Sequence, residues 1–359
     1  MVPVMTSNGG HEPVFCTIVP PHVLDKLAQH EDTALATPAR RTLERDALER
    51  TRRRLTTVIG APTATPPRDA ADQPHRTIYD AGHQQSLPGT KVRGEGDGPG
   101  RDATVNRAYA GLGATFELYR KAYGRDSIDG KGLPLDASVH FGEHYDNAFW
   151  NGEQMVFGDG DDQIFLDFTI PVDVIGHELT HGVTQYTANL AYFGQSGALN
   201  ESVSDVFGSL IKQYALGQTA TEADWLIGAG LLAPRVTGTA LRSMKQPGSA
   251  YDDDVLGKDP QPGTMDGYVR TSQDNGGVHI NSGIPNHAFY LVATALGGHA
   301  WERAGQIWYD VLTGGRLQPQ ATFADFAKLT VAAAGSRYDG HQERDAVLKA
   351  WEQVGVPTS

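Results

Sequence analysis

The chain has 359 residues, of which 39% are apolar, so it can bury a large core and is long enough for about two domains. Its net charge of −13, with no clustered Lys and Arg after the first sixty residues, argues against a nucleic-acid partner. The longest apolar stretches contain Gly or Pro and fall well short of the roughly 20 residues that a membrane-spanning helix needs, so no membrane partner is expected. Cys16 is the single cysteine, which excludes both a disulfide framework and a metal site built from several thiolates.

A leader, residues 1–60, opens the chain and contains a basic helical stretch in which Leu43, Ala47 and Leu48 are predicted to share one face. The leader shows no conventional secretory signal, because no basic region is followed by an apolar core and a small-residue cleavage site. Residues 61–75 are rich in Pro and favour extended, solvated backbone. We interpret them as a linker in which the chain is processed.

The body of the chain divides into two regions. Residues 76–190 alternate strand-like runs with Gly-rich turns and end in a helical pattern, which predicts a mixed α/β N-terminal domain. Residues 191–359 have helical periodicity almost throughout and predict a helical C-terminal domain. The expected fold class is therefore α+β, with the last helix of the first domain at the junction.

That junction helix carries His177, Glu178 and His181 in the spacing HExxH. Residues four apart project from one helix face, so the two imidazoles can reach one metal ion at about 2 Å. Glu178 lies beside the first ligand and can contact a metal-bound water, as the general base of a metalloprotease must. The alternative is an amphipathic helix whose two histidines lie in a polar interface.

A third ligand is expected at Glu201, twenty residues after His181, and Asp205 follows one helical turn later. A catalytic zinc takes three protein ligands and keeps one position open, so Glu201 would complete the set of protein ligands. Asp205 could accept the remaining N–H of a zinc-bound histidine. No third histidine follows His181 at the distance typical of Met-turn proteases. The alternative for both carboxylates is a solvated helix face.

Three further segments, at residues 147–152, 197–202 and 274–283, make the chain resemble the thermolysin family of neutral zinc metalloproteases. The leader, with Ile18-Val19-Pro20-Pro21 near its start, resembles the short prosegment of the protealysin branch. The resemblance implies a two-domain fold with the zinc helix at the junction. It also implies an endopeptidase made as a self-processing precursor, with the leader as prosegment and intramolecular inhibitor.

The resemblance also implies roles for single residues. Glu178 would act as general base, Tyr192 and His279 would stabilise the oxyanion, and Asp274 would orient His279. The positions matched to peptide binding are Asn147, the Ala148 backbone and Arg242. The matched pocket for the side chain after the scissile bond is apolar and predicts cleavage before bulky hydrophobic residues; it consists of Phe165, Phe168, Val174, Ile227, Leu231 and Leu241. Without the resemblance, Tyr192 would be interpreted as a core tyrosine, His279 as a surface histidine and the apolar pocket positions as ordinary core.

Two expectations concern metals. Cys16, beside the Pro20-Pro21 segment, either places a thiolate on the zinc and silences the precursor, or is a small buried hydrophobe. Calcium is not expected at the family's paired site, because the matched positions keep only two carboxylates, Asp173 and Asp224. Lys212 replaces another ligand there, and its ammonium could lie between the two carboxylates or point into solvent.

The remaining expectations concern context. The partners would be peptide or protein substrates, and the chain would be a monomer. It would be secreted by a route without a conventional signal peptide, or else stay in the cytoplasm. Bonds before Leu55, Val58 and Ile59 are candidate self-processing sites. A catalytically silent binding protein that keeps the fold, and an amidase or exopeptidase with the same zinc chemistry, are the alternative functions.

Overall fold

The computed structural model describes residues 15–59 and 73–358. The predicted linker at residues 61–75 lies largely outside this part of the chain. In chain order the elements are α1 (Pro21–Ala28), α2 (Thr33–Ile59), β1 (Arg76–Asp80), β2 (Thr90–Arg93), α3 (Ala103–Tyr123), β3 (Leu135–Val139), β4 (Ala148–Trp150), β5 (Met155–Phe157), α4 (Val172–Gln185), α5 (Gly194–Leu216), β6 (Leu226–Ile227), β7 (Arg242–Ser243), β8 (Asp252–Asp253), β9 (Gly257–Lys258), a 3₁₀ turn (Met265–Gly267), α6 (Asp274–Asn281), α7 (Gly283–Leu296), α8 (Ala304–Thr313), α9 (Phe323–Arg337) and α10 (Gln342–Gln353). Among the described helices, none combines the length and apolar character needed to cross a membrane.

The N-terminal region is built on a five-stranded mixed sheet with strand order β2-β1-β3-β5-β4. Strand β3 pairs in parallel with both β1 and β5, whereas β2 and β4 pair antiparallel with their neighbours. Helix α3 packs on the sheet, and its N-cap Asp102 accepts hydrogen bonds from the backbone N–H groups of Thr104 and Val105. Because β4 lies at one edge of the sheet, its outer backbone groups are available to an added strand.

Helices α4 and α5 approach each other closely at two glycines. A Cβ atom at Gly176 of α4 would lie 2.6 Å from the Ile211 side chain, and one at Gly208 of α5 would lie 2.6 Å from the Asp173 carbonyl oxygen. Glycine at both positions therefore permits backbone contact, which larger residues would prevent. This contact fixes the distance between the two helices that carry the HExxH pattern and Glu201.

Helices α7 to α10 form the C-terminal core. The rings of Trp308 on α8 and Trp351 on α10 stack with centroids 6.1 Å apart, and Phe326 of α9 packs edge-on against both. The predicted α+β fold with a helical C-terminal region is confirmed. Trp301 lies in a turn, and α8 starts at Ala304.

Of the three leader residues predicted to share one helix face, only Leu43 packs against the core, where it is half-buried. Leu48 is 54% exposed, and Ala47 is exposed as well. The face of α2 that packs on the body instead carries polar and charged side chains: Thr42, Arg45, Asp46 and Glu49. The reason is the surface that receives the helix, since the loop before β4 presents polar groups to α2.

Candidate metal centre

The two histidines of α4 and the glutamate of α5 come together in one buried cluster. The Nε2 atoms of His177 and His181 are 3.0 Å apart. The Glu201 carboxylate oxygens lie 3.6 Å from Nε2 of His177 and 3.5 Å from Nε2 of His181. Ligand atoms placed tetrahedrally at about 2 Å from one zinc ion would be roughly 3.3 Å apart, so this triangle has the size of a zinc site.

The Nδ1 nitrogens of both histidines each have a hydrogen-bond acceptor. Nδ1 of His177 lies 2.8 Å from Asp205 Oδ1, and Nδ1 of His181 lies 2.8 Å from Asn200 Oδ1. Both acceptors place the proton on Nδ1, so the two Nε2 lone pairs converge on one point. Converging lone pairs repel each other unless a cation lies between them. Glu201 Oε2, which is also buried, has no hydrogen-bond partner in the part of the chain that the structure describes, and the cluster therefore fits a zinc ion.

Sequence reasoning identified Asp205 as a partner for a ligand histidine but missed Asn200. Asn200 immediately precedes Glu201, and its Nδ2 donates to the Leu190 carbonyl while its Oδ1 faces His181. Its position directly before the predicted third ligand is the sequence feature that could have identified it.

Glu178 lies beside the ligand triangle without joining it. Its Oε2 accepts a hydrogen bond from the Trp150 backbone N–H at 3.1 Å, and its buried Oε1 has no hydrogen-bond partner among the described residues. Burial, reinforced by the charge of Glu201, raises the pKa of Glu178 well above its usual range. One oxygen is thus anchored, and the other is available to a water or a substrate.

Tyr192 and His279 lie on the far side of the triangle from α4. The Tyr192 hydroxyl is 3.3 Å from His279 Nε2 and donates to Glu201 Oε1 at 2.5 Å. Asp274 accepts from the His279 backbone N–H at 2.9 Å and lies 2.6 Å from its Nδ1. Burial disfavours the imidazolium, but the Asp274 carboxylate outweighs it and raises the pKa of His279 to about 9.

Asp274 can reach His279 twice because the chain between them makes a tight left-handed loop. Asn275, Gly276 and Gly277 have φ angles of 49°, 86° and 77°. Glycine adopts these angles without strain, and Asn tolerates them better than most residues. The Asn-Gly-Gly sequence therefore permits the loop that positions the histidine.

Asp205 also binds Arg242, so one carboxylate holds both a candidate metal ligand and a candidate substrate contact. Nε and Nη2 of Arg242 each donate to Asp205 at 2.9 Å, and Asn286 Nδ2 donates at 2.8 Å. Although burial opposes ionisation, these cationic and hydrogen-bonding partners lower the pKa of Asp205 below its usual range. Asn286, 81 residues away in sequence, was not singled out by any motif.

The leader crosses this site beside the edge strand β4, with a bend at Ile18 and Val19. The Ile18 N–H donates to the Ala148 carbonyl at 3.2 Å, and the Val19 N–H donates to Asn147 Oδ1 at 3.0 Å. Arg242 donates to the Ile18 carbonyl at 3.2 Å. The three groups expected to hold a peptide thus contact the leader.

The Ile18 side chain is fully buried in the apolar cluster that contains the predicted pocket. The pocket residues in this cluster are Phe165, Phe168, Val174, Ile227, Leu231 and Leu241.

Cys16 enters the ligand triangle. Its Sγ lies 2.9 Å from Glu201 Oε1, 2.8 Å from the Tyr192 hydroxyl and 3.6 Å from His279 Nε2. One ligand atom each from Cys16, His177, His181 and Glu201 all lie within 4.8 Å of one another. The thiol is buried, but its surroundings are polar groups of the cluster and not an apolar core.

Lys212 occupies the position expected between two carboxylates. Its Nζ is 2.7 Å from Asp173 Oδ2, 2.9 Å from Asp224 Oδ1 and 2.8 Å from the Leu226 carbonyl oxygen. Asp173 is completely buried in the first turn of α4. The ammonium therefore points inward and not into solvent.

Comparison with known proteins gives one consistent result. Residues 68–185 match the catalytic domain of the thermolysin metallopeptidases, and residues 188–356 match their alpha-helical domain. An extracellular metalloprotease of Pectobacterium carotovorum subsp. carotovorum is 52% identical over 343 residues, 95% of this chain and 96% of that protein. A thermolysin of Alicyclobacillus acidocaldarius is 40% identical over 289 residues, 77% of this chain and 50% of that protein.

A solved structure, the precursor of protealysin from Serratia proteamaculans, superposes with a TM-score of 0.85 at 51% identity. The superposition covers 95% of this chain and all of that one.

Proposed function

The chain belongs to the thermolysin family of zinc metallopeptidases, and on that premise we propose that it is the precursor of an endopeptidase that cuts before bulky hydrophobic residues. One observation carries the proposal. The leader backbone makes the hydrogen bonds expected of a bound peptide, and the Ile18 side chain is buried in the same hydrophobic core to which the six pocket residues belong.

His177, His181 and Glu201 would hold the zinc, which when bound would polarise the scissile carbonyl and lower the pKa of a water. Glu178 takes the proton of the attacking water on its free oxygen and passes it to the leaving amine. The Tyr192 hydroxyl and His279 Nε2 donate hydrogen bonds to the carbonyl oxygen as negative charge develops there. Asp274 keeps His279 charged and oriented for that role.

In the precursor the leader acts as an intramolecular inhibitor. It covers Ala148, Asn147 and Arg242 with its own backbone, so a substrate cannot bind in the same place. Cys16 would supply the fourth ligand of the zinc in this state, as a thiolate at the position that a catalytic site leaves open to water. The thiol thus blocks the chemistry while Ile18 and Val19 block the cleft.

The cleavage preference is tested by digesting an unstructured protein with the mature enzyme and sequencing the products. We expect new N-termini at Leu, Phe and Ile. Leu231→Phe should fill the pocket and shift cleavage toward smaller residues, while a peptide cut before Ala is still hydrolysed. Products that begin mainly with charged residues would contradict the proposal. Internal cuts also exclude an exopeptidase, and any turnover excludes a silent binding protein.

Self-processing is tested by mass spectrometry of the purified precursor. Bonds before Leu55, Val58 and Ile59 lie in the last turns of α2 and beside the Pro-rich linker; their side chains are outside the described part of the structure. A Glu178→Gln precursor should stay intact alone and be cut when active enzyme is added. A fully active enzyme with an intact N-terminus would refute self-processing.

We further propose that the enzyme works as a secreted monomer without calcium at the family's paired site. Lys212 between Asp173 and Asp224 supports the calcium proposal, and the extracellular relative supports secretion. Gel filtration of the mature enzyme and assay of culture supernatant against cell lysate test the remaining points.

A further inference from the structure

A second part of the leader also contacts the peptide-binding edge. Asp46 of α2 is 5% exposed, and its Oδ1 accepts a hydrogen bond from the Tyr145 hydroxyl at 2.5 Å. Its Oδ2 accepts from Asn147 Nδ2 at 3.1 Å. The other end of the Asn147 amide accepts from the Val19 N–H. Both ends of a candidate substrate-binding amide are therefore occupied by the leader.

The Asp46 carboxyl is held by two uncharged donors. The nearby cations make their close contacts with other groups: Arg45 forms a buried ion pair with Glu49, and the Arg50 guanidinium lies over the Phe15 ring. From there Arg50 still favours the charged form of Asp46, whereas the neighbouring Glu49 carboxylate disfavours it. A buried carboxylate in such a place lacks the compensation that it would have in water.

Burial raises the pKa of Asp46 to about 7, even though the hydrogen bonds from Tyr145 and Asn147 favour the charged form. When the leader leaves the body, Asp46 returns to water and to the ordinary pKa of an aspartic acid. The docked state therefore holds its proton more tightly than the released state. Docking is strongest below the ordinary pKa, weakens as pH rises from there to about 7, and is weakest above it.

We propose that docking of the leader takes up one proton at Asp46, so that mildly acidic conditions keep the precursor closed and neutral or alkaline conditions open it. The inference rests on the proposed function in that the leader is taken as the inhibitor of the cleft. Substrate preference and turnover play no part in it, so it can fail or hold independently of them.

The test follows hydrogen exchange of α2 backbone amides in the full-length Glu178→Gln precursor with zinc saturated, between pH 5.5 and 8. This variant cannot cut itself, and the readout needs no activity. After correction for the intrinsic pH dependence of exchange, protection of α2 should fall by up to about tenfold per pH unit as Asp46 ionises. In an Asp46→Asn precursor, which keeps an uncharged side chain of the same shape, the fall in protection with rising pH should be lost.

Tyr145→Phe supplies a second variant, because loss of one donor to the carboxylate raises the pKa of the docked Asp46 further, so protection should go on falling to a higher pH before it levels off. Two other titratable groups lie at or near this interface: His22, whose buried ring nitrogens have no partner in the described residues, and Asp146, whose backbone N–H donates to Thr42. His22 acts in the opposite direction, since its protonation at low pH would loosen docking. An unchanged slope in Asp46→Asn, or no loss of protection in the parent up to pH 8, would overturn the proposal.

Discussion

Replacing Lys212 by Met would remove the cation from a buried cluster and leave its partners behind. Lys212 Nζ contacts Asp173, Asp224 and a backbone carbonyl, and its side chain is only 10% exposed. Asp173 has no exposure at all, and its second oxygen is already used by the Gly228 N–H. Loss of the ammonium therefore leaves a carboxylate inside the protein with a single backbone donor.

Breaking a buried ion pair on one side costs about 3–5 kcal/mol. Asp224, whose side chain is 45% exposed, can return to water, so most of this cost falls on Asp173. The helix dipole at the start of α4 offsets a part of it, on the order of 1 kcal/mol. At about 2.1 cal/mol/K of unfolding entropy per residue, the remaining loss of about 2–4 kcal/mol lowers the Tm of this 359-residue chain by roughly 3–5 °C.

The assay is thermal unfolding of Glu178→Gln precursors with zinc saturated, since inactive protein does not digest itself. Lys349→Met, at an exposed lysine of α10, serves as the matched control and should leave Tm almost unchanged. Lys212→Met combined with Asp173→Asn should recover much of the loss, because the stranded charge is removed. A calcium-selective chelator should leave the Tm of the parent unchanged. Equal Tm values for the two Met variants, or a large fall on chelation, would refute the reasoning.

Three further outcomes are expected. Glu178→Gln should abolish hydrolysis and retain zinc, whereas His177→Ala should lose both, as metal analysis beside a peptide assay would show; near wild-type turnover in the first variant would exclude the mechanism. Cys16→Ser should shorten the lag before self-processing and remove a sulfur neighbour at about 2.3 Å from X-ray absorption at the zinc edge; an unchanged lag would favour a purely apolar role. His140, whose pKa two aspartates raise to about 9, should stabilise the fold below its ordinary pKa and lose that effect as pH rises through about 9. The Tm gap between wild type and His140→Asn should then be widest near pH 6 and close above pH 9, and a constant gap would contradict this.

The metal ligands could be predicted because helix geometry is local. A spacing of four residues fixes His177 and His181 on one face wherever the helix lies, and a turn of helix fixes Asp205 behind Glu201. The fold followed from periodicity and from resemblance over most of the chain. These features depend on neighbours in sequence, so the sequence contains them directly.

What the sequence did not predict depends on partners that are distant along the chain. The buried face of α2 is decided by Tyr145 and Asn147 of the body, which offer hydrogen bonds to Asp46, so the apolar pattern at Leu48 was a poor guide. Asn286 binds Asp205 across 81 residues, and no spacing rule connects them. The position of Cys16 among the ligands likewise depends on how the leader folds over the cleft.

The glycine contact between α4 and α5 limits how this protein can be engineered. Because the two backbones touch at Gly176 and Gly208, the spacing between the histidine pair and Glu201 is set by main-chain atoms and cannot be tuned by repacking side chains. A library that varies these two positions would be expected to consist mainly of unfolded members. Variants that accept a larger or smaller ion would have to change the ligands themselves, since the distance between their supporting helices has no adjustable component.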